Sequence, residues 1–288
     1  MCSSNQVGIY SSVYTSNSGP NNVSIFNRNV TTGALSGTST IAAGSYPSGI
    51  CISCDGKNVY VANQVSYNIS IFNRNITTGA LSGTSTIAAG DNPFDICIST
   101  DGKSVYTTNP TNSGSDYVSI FDRNISTGAL SGTSTIATVS NSYGICISLD
   151  GKNVYVANSS GTVSIFSRNV TTGALSGTST ISAGTAPNGI CISNDGISVY
   201  AANFSANNIS IFDRNVTTGA LSGTSTIAAG TNPYRICISA DGTSVYAANI
   251  LTNTVSIFTR NTSTGSLSGP STIATGTHPR NIAVYPLQ

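Results

Sequence analysis

Apolar positions in this chain come in short bursts. Val-Tyr-Val-Ala-Asn at 59–63 is followed, after a polar spacer, by Ile-Ser-Ile-Phe-Asn-Arg-Asn at 69–75. Runs of five to seven residues rich in β-branched and aromatic types predict strands, and no stretch follows the 3.6-residue period of a helix. The stretch 50–90 divides into four such strands, at 50–53, 59–63, 69–75 and 84–90. Asp55-Gly56 marks a hairpin between the first two, because glycine accepts positive φ. Gly79 is expected to serve the turn between the third and fourth for the same reason.

The pattern then repeats. The phrase Thr-Thr-Gly-Ala-Leu-Ser-Gly at 31–37 returns, nearly unchanged, at 77–83, 126–132, 171–177, 217–223 and 263–269. Its glycines, Gly33, Gly79, Gly128, Gly173, Gly219 and Gly265, are spaced by 46, 49, 45, 46 and 46 residues. A period of roughly 40–50 residues with four short strands per unit is the signature of a propeller blade. The predicted fold is therefore an all-β, six-bladed β-propeller with four antiparallel strands per blade. The chain begins with second-strand material and ends with a first strand, 281–288. Pairing the two ends in one composite blade, 7–44 plus 281–288, is expected to close the ring. The other blades are predicted at 49–90, 95–138, 144–184, 189–230 and 235–276.

Composition narrows the partners. Eleven Lys and Arg stand against ten Asp, with no Glu, giving a net charge of +1 over 288 residues. That balance produces no field to draw in nucleic acid. No apolar run approaches the ~18 residues of a membrane span. The start, with no basic region and no long apolar run, does not read as a signal peptide. Five of the seven cysteines, Cys51, Cys97, Cys146, Cys191 and Cys237, hold one equivalent position in successive copies. Symmetry places such residues in different blades, too far apart for a disulfide, so they read as small buried hydrophobes. The Cys51–Cys54 pair has C-x-x-C spacing but no second pair or histidine beside it, which argues against zinc.

The strings Val-Tyr-Val-Ala-Asn, Val-Tyr-Thr-Thr-Asn and Val-Tyr-Ala-Ala-Asn follow Asp-Gly and precede Val-Ser-Ile-Phe or Ile-Ser-Ile-Phe. In this they resemble the YVTN-type β-propeller repeat. The phrase Arg-Asn-x-Thr-Thr-Gly-Ala-Leu is similar to the lactonase-like branch of these propellers. The resemblance covers essentially the whole chain and implies stacked four-stranded blades around a channel. Its members include surface-layer and secreted proteins and, more distantly, sugar-lactone hydrolases. It therefore leans the location towards a secreted or surface-exposed one. Six copies here depart from the seven usual in lactonase-like members.

The six copies can be compared with one another. The turns on one face barely vary. The second-to-third loops and the blade-to-blade crossings, on the other face, vary strongly, and binding residues concentrate on loops held by a rigid scaffold. The residue before each first strand (Gly49, Asp95, Gly144, Gly189, Arg235, Asn281) is expected at the channel mouth, with Asp95 and Arg235 across from each other. Phe94, Tyr143, Tyr234, Arg280 and the single histidine, His278, stand beside them. Together Phe94, Asp95, Tyr143, Tyr234, Arg235, His278 and Arg280 form the candidate site for a small polar or anionic ligand. Asp91, Asp95 and Asp116 are a weaker candidate for Ca²⁺, with the right ligand type but without EF-hand spacing.

Chemistry for catalysis is sparse. Asp55, Asp101, Asp150, Asp195 and Asp241 are hairpin residues, and only His278 could serve a Ser-His-Asp set as its base. No family catalytic residue can be matched to a position here. The recurring Arg28, Arg74, Arg123, Arg168, Arg214 and Arg260 read as bonding turn carbonyls or an Asp of the adjacent blade. Asn-x-Ser/Thr triplets at Asn29, Asn75, Asn169 and Asn215 are potential glycosylation acceptors. Three functions stay open: a non-enzymatic binding propeller for a glycan, protein or small polar molecule; an assembly subunit that uses its uncharged outer strands; and a lactonase-like hydrolase.

Overall fold

The computed structural model describes residues 11–29, 34–111 and 113–282. These residues form six antiparallel sheets, each with its strands in sequence order and none with a helix. The first sheet holds β1 (Ser11–Asn17), β2 (Asn22–Arg28) and β3 (Leu35–Ala42). The second holds β4 (Pro47–Ile52), β5 (Asn58–Asn63), β6 (Asn68–Arg74) and β7 (Leu81–Ala88). The third holds β8 (Ile96–Ile98), β9 (Ser104–Asn109), β10 (Tyr117–Arg123) and β11 (Leu130–Ala137). The fourth holds β12 (Ser142–Ile147), β13 (Asn153–Asn158), β14 (Thr162–Arg168) and β15 (Leu175–Ser182). The fifth holds β16 (Pro187–Ile192), β17 (Ser198–Asn203), β18 (Asn208–Arg214) and β19 (Leu221–Ala228). The sixth holds β20 (Pro233–Ile238), β21 (Ser244–Asn249), β22 (Thr254–Arg260) and β23 (Leu267–Ala274).

This is the expected all-β, six-bladed propeller. Most of the closing strand expected at 281–288 lies outside the described residues. The blades fall into two compact units, blades one to three in the first and blades four to six, with residues 113–116, in the second.

Two strand starts differ from the sequence reading by three residues, and bulges explain both. The fourth strand of blade two begins at Leu81 rather than 84. The register shifts between Phe72 and Asn73, so that Phe72 pairs with Thr84 and Asn73 with Ser82. Gly83, at φ +57°, is the extra residue that a side chain would strain. The innermost strand begins at Pro47 rather than 50, with a shift between Pro47 and Ile50. Part of each crossing is thus already strand.

In the first unit, β5 shows why its sequence is apolar on both faces. Val59 and Val61 pack with Tyr14, Val23 and Ile25 of blade one. Their neighbours Tyr60 and Ala62 turn the other way, onto Ile96, Val105 and Phe121 of blade three. All six residues of β5 are buried, because strand alternation feeds two interfaces at once. The second unit repeats this. Tyr155 and Ala157 meet Val199, Ala201 and Phe212, while Tyr200 and Ala202 meet Val245, Ala247 and Phe258. The outermost strands β7, β11, β15 and β19 are mostly exposed, which suits their Ser and Thr.

Candidate functional site

The turn face is a set of interblade clips. In the first unit, Arg123 Nε donates to the Tyr60 hydroxyl at 2.6 Å, and that hydroxyl donates to the Gly128 carbonyl at 2.8 Å. Arg123 Nη1 reaches the Gly102 carbonyl at 3.1 Å, and Nη2 reaches Asp55 Oδ2 at 3.0 Å and Asn58 Oδ1 at 2.7 Å. One guanidinium therefore ties its own hairpin to the preceding blade, using the fixed fork of donors that lysine lacks. In the second unit Arg214 does the same with Tyr155, Gly196, Asp150 and Asn153. Arg260 does so with Tyr200, Gly242, Asp195 and Ser198. The expected bond from arginine to turn carbonyl and neighbouring Asp is present in these three. The tyrosine in the middle was not foreseen.

These clips set the electrostatics of the turn face. Burial alone would raise the Asp55, Asp150 and Asp195 carboxyls. Hydrogen bonds from Ser53, Ser148 and Ser193, from backbone N–H groups and from the arginines hold all three below the usual carboxylate range. Burial pushes the Tyr60 and Tyr155 hydroxyls up to about 12. The arginines of these clips are already occupied by their own partners.

The cysteines are free and half-buried among the described residues. Cys51, Cys146 and Cys191 pack at the edge of the core clusters. Burial raises the Cys51 and Cys191 thiols and pushes Cys237 up to about 12, which disfavours a thiolate nucleophile at neutral pH.

The loop face of the second unit is open. A cavity of 230 Å³ is lined there by Tyr143, Ser159, Asn188, Phe204 and Tyr234. Tyr143, Asn188 and Tyr234 hold the same position in three successive copies, the residue just after the start of β12, β16 and β20. Each sits in the bulge where the inner strand shifts register, between Ser142 and Ile145, Pro187 and Gly189, and Pro233 and Arg235. Ser159 and Phe204 are the first residues after β13 and β17. The Phe204 and Tyr234 rings lie edge to face, with centroids 6.1 Å apart and planes at 75°. The Arg235 guanidinium carbon stands 5.9 Å from the centroid of the Tyr234 ring.

The residues that line this cavity stand one position before the glycines expected at the channel mouth. A Cβ on Gly144 would stand 2.4 Å from the Asn188 carbonyl oxygen, and one on Gly189 would stand 2.7 Å from that of Tyr234. These glycines face the backbone of the next blade, so the residue before each is the one presented to the cavity. Of the seven candidate residues, Tyr143 and Tyr234 line it. Arg235 is nearly buried and supports Tyr234 from outside the wall.

The other candidates sit elsewhere. His278 is exposed, its backbone N–H donating to Asn253 Oδ1 at 2.8 Å, and Arg280 is also exposed. Phe94 is buried in the first unit, its carbonyl accepting the Gly49 N–H at 2.8 Å, so it is core rather than rim. The half-buried Asp95 accepts the Thr108 N–H at its carbonyl and donates its own N–H to Thr108 Oγ1, in the same unit. Among the described residues no three His, Cys, Asp or Glu side chains gather to hold a metal, so Asp91, Asp95 and Asp116 form no such group. The Asp116 carboxylate is buried and accepts from the Ser142 N–H at 2.7 Å, pinning the start of β12. The Asp91 N–H donates to the Tyr117 hydroxyl at 2.8 Å.

Ser159, Asn188 and Phe204 were missed in the sequence. All three lie in the loops and crossings that vary between copies, so the signal was there. What hid them was the bulge, which no residue type announces.

Fold and loop face together define a propeller that offers a small cavity on its variable side. The chain belongs to the family described as "Lactonase, 7-bladed beta-propeller", whose model matches residues 9–96, 88–188 and 177–284. It carries six blades where that description names seven. Among solved structures it is similar to a candidate 6-phosphogluconolactonase from Bacteroides fragilis NCTC 9343, at 23% identity and a TM-score of 0.82, over 99% of this chain and 87% of that one. A candidate 6-phosphogluconolactonase from Bacteroides uniformis ATCC 8492 follows at 22% and 0.79, over 95% and 84%. The periplasmic gluconolactonase of Pseudomonas aeruginosa matches at 16% and 0.61, over 93% and 96%. At these identities the likeness is one of fold. No curated protein matches the chain.

Proposed function

We propose that this protein is a small-molecule binding propeller, with its site in the loop-face cavity of the second unit. The observation that carries this reading is the cavity itself. Three aromatic side chains, two of them tyrosines, converge on 230 Å³ with the Ser159 hydroxyl and the Asn188 amide. A concave, mostly apolar lining with a few placed polar groups is the usual form of a ligand site. Titration of the protein with candidate ligands, followed by the ring resonances of Tyr143 and Tyr234, tests it. Ligands that shift other tyrosines but leave these two untouched would count against the site.

Lactone hydrolysis is the second reading, favoured by family membership and by neighbours named as lactonases. It needs a group to activate water and another to carry a proton. The cavity lining offers hydroxyls and an amide but neither carboxylate nor imidazole. Turnover of glucono-δ-lactone above its spontaneous rate, lost in His278→Ala, would favour hydrolysis over simple binding.

A further inference from the structure

Five turns on the turn face carry an amide that the fold uses only by half. Asn75, Asn124, Asn169, Asn215 and Asn261 each open the turn between the third and fourth strands of their blade, and all five are exposed. Asn75 Oδ1 accepts the Thr77 N–H at 2.9 Å and the Thr78 N–H at 3.0 Å. The other four make the same pair of bonds. Such an Asx turn engages the amide oxygen alone. Nδ2 donates to no other described residue in any of the five.

The third residue of each triplet has a feature the turn does not require. The turn takes only its backbone N–H, yet Thr77, Ser126, Thr171, Thr217 and Ser263 all bring a hydroxyl, exposed and bonded to no other described residue. Between the copies the middle residue changes from Ile to Val to Thr and is never Pro, while the third changes only between Thr and Ser. These are the exchanges that an Asn-x-Ser/Thr acceptor tolerates. The middle residues are also apolar and open to solvent, with Ile125 53% and Val216 50% exposed. A sugar on the neighbouring amide would shield them.

The same triplet inside the strands is closed. In Asn68-Ile69-Ser70, the Asn63 amide donates to Asn68 Oδ1 at 2.8 Å and to Ser70 Oγ at 2.9 Å, and Ser70 is fully buried. Asn208 and Ser210 are held in the same way by Asn203.

We propose that the five turn asparagines are N-glycosylation sites and that the strand triplets are not. The donor is an activated glycosyl diphosphate. A bond forms between Nδ2 and the anomeric carbon, the bond from that carbon to the diphosphate oxygen breaks, and the diphosphate leaves with the electron pair. Nδ2 gives up one of its two protons to a base of the transferase. This proposal is independent of the loop-face cavity.

The test starts from the full chain purified from the cells that make it. Its intact mass should exceed that of the bare sequence by a whole number of glycans. Enzymatic release in heavy-oxygen water, which turns each modified asparagine into labelled aspartate, should label the turn positions and neither Asn68 nor Asn208. Thr77→Ala should lose one glycan and Thr77→Ser should keep it. In the bare recombinant chain Thr77→Ala should leave Tm unchanged, because the turn needs only the N–H of that residue. Transfer to the bare chain by membranes of those cells supports the proposal with a lipid-linked donor. Transfer by their soluble fraction with a nucleotide sugar supports it with a nucleoside diphosphate donor. Transfer by neither, an intact mass equal to the bare sequence, or label at Asn68 or Asn208 with none at the turns overturns it.

Discussion

Arg123 and Tyr60 meet at 2.6 Å across the boundary between blades three and two, and the bond recurs as Arg74–Tyr14, Arg214–Tyr155 and Arg260–Tyr200. The tyrosine ring is also core, so each clip joins a polar network to the apolar interface beneath it. Truncating the arginine leaves a buried hydroxyl, an amide and a carboxylate short of a donor. Arg123→Ala is expected to cost about 1–3 kcal/mol in urea unfolding, the range for leaving buried polar partners without their donor, while the exposed Asp55 adds little. Tyr60→Phe should cost about 1–2 kcal/mol. The double variant should lose less than the sum, because the two share one bond.

The same network fixes the pH limits of stability. The Asp55, Asp150 and Asp195 carboxyls titrate below their unfolded value, so the folded state binds fewer protons than the unfolded one in that range. Their contribution is full above the ordinary carboxylate pKa and is lost as pH falls through the lower, folded values. Tyr60 and Tyr155 behave in the opposite sense. Their support is complete below about pH 10 and is lost as pH rises towards about 12. Melting temperature measured against pH should form a plateau with an acid limb that shrinks in Asp150→Asn and an alkaline limb that shrinks in Tyr155→Phe.

Glycines of the repeated phrase should not be equal. Gly128 has φ +76°, and a Cβ there would stand 2.1 Å from Asn58 Nδ2, a clip residue. Gly177 has φ +59°, with nothing within 4 Å. Alanine at Gly177 should cost only the ~1–2 kcal/mol of a left-handed backbone. Alanine at Gly128 should cost more, and thermal melts of the two single variants would rank them directly.

On the loop face, ligand affinity and stability should separate. Phe204 and Tyr234 are half-buried, and their rings meet each other rather than a core cluster. Phe204→Ala is expected to weaken ligand binding at least tenfold in calorimetry, while the urea midpoint moves little.

Much of the fold was legible because one unit of sequence recurs six times. The Asp-Gly hairpins, the sequence-ordered sheets and the grouping of turns opposite variable loops all follow from turn chemistry and strand period. The glycines of those hairpins do adopt positive φ, from +68° at Gly151 to +73° at Gly196. The site was legible only in part. Tyr143 and Tyr234 stood out as aromatics in variable crossings. Asn188 did not, since asparagine in a crossing reads as turn material. Phe94 looked equivalent to Tyr143 and Tyr234 in the sequence, yet its side chain is buried. Side-chain direction at a bulge depends on how the next blade packs, and no local pattern encodes that.

The clips have one more consequence. Each reaches from a blade to its predecessor and is spelled by recurring residues: the arginine and the repeated glycine from one, the tyrosine and, in every copy but the first, the hairpin aspartate from the other. A duplicated segment therefore arrives with both halves of the joint already written, and a deleted one leaves matching halves behind. Gain or loss of a whole copy needs no compensating substitution at the seam. A chain with six copies in a family described by seven is what such an interchangeable joint permits.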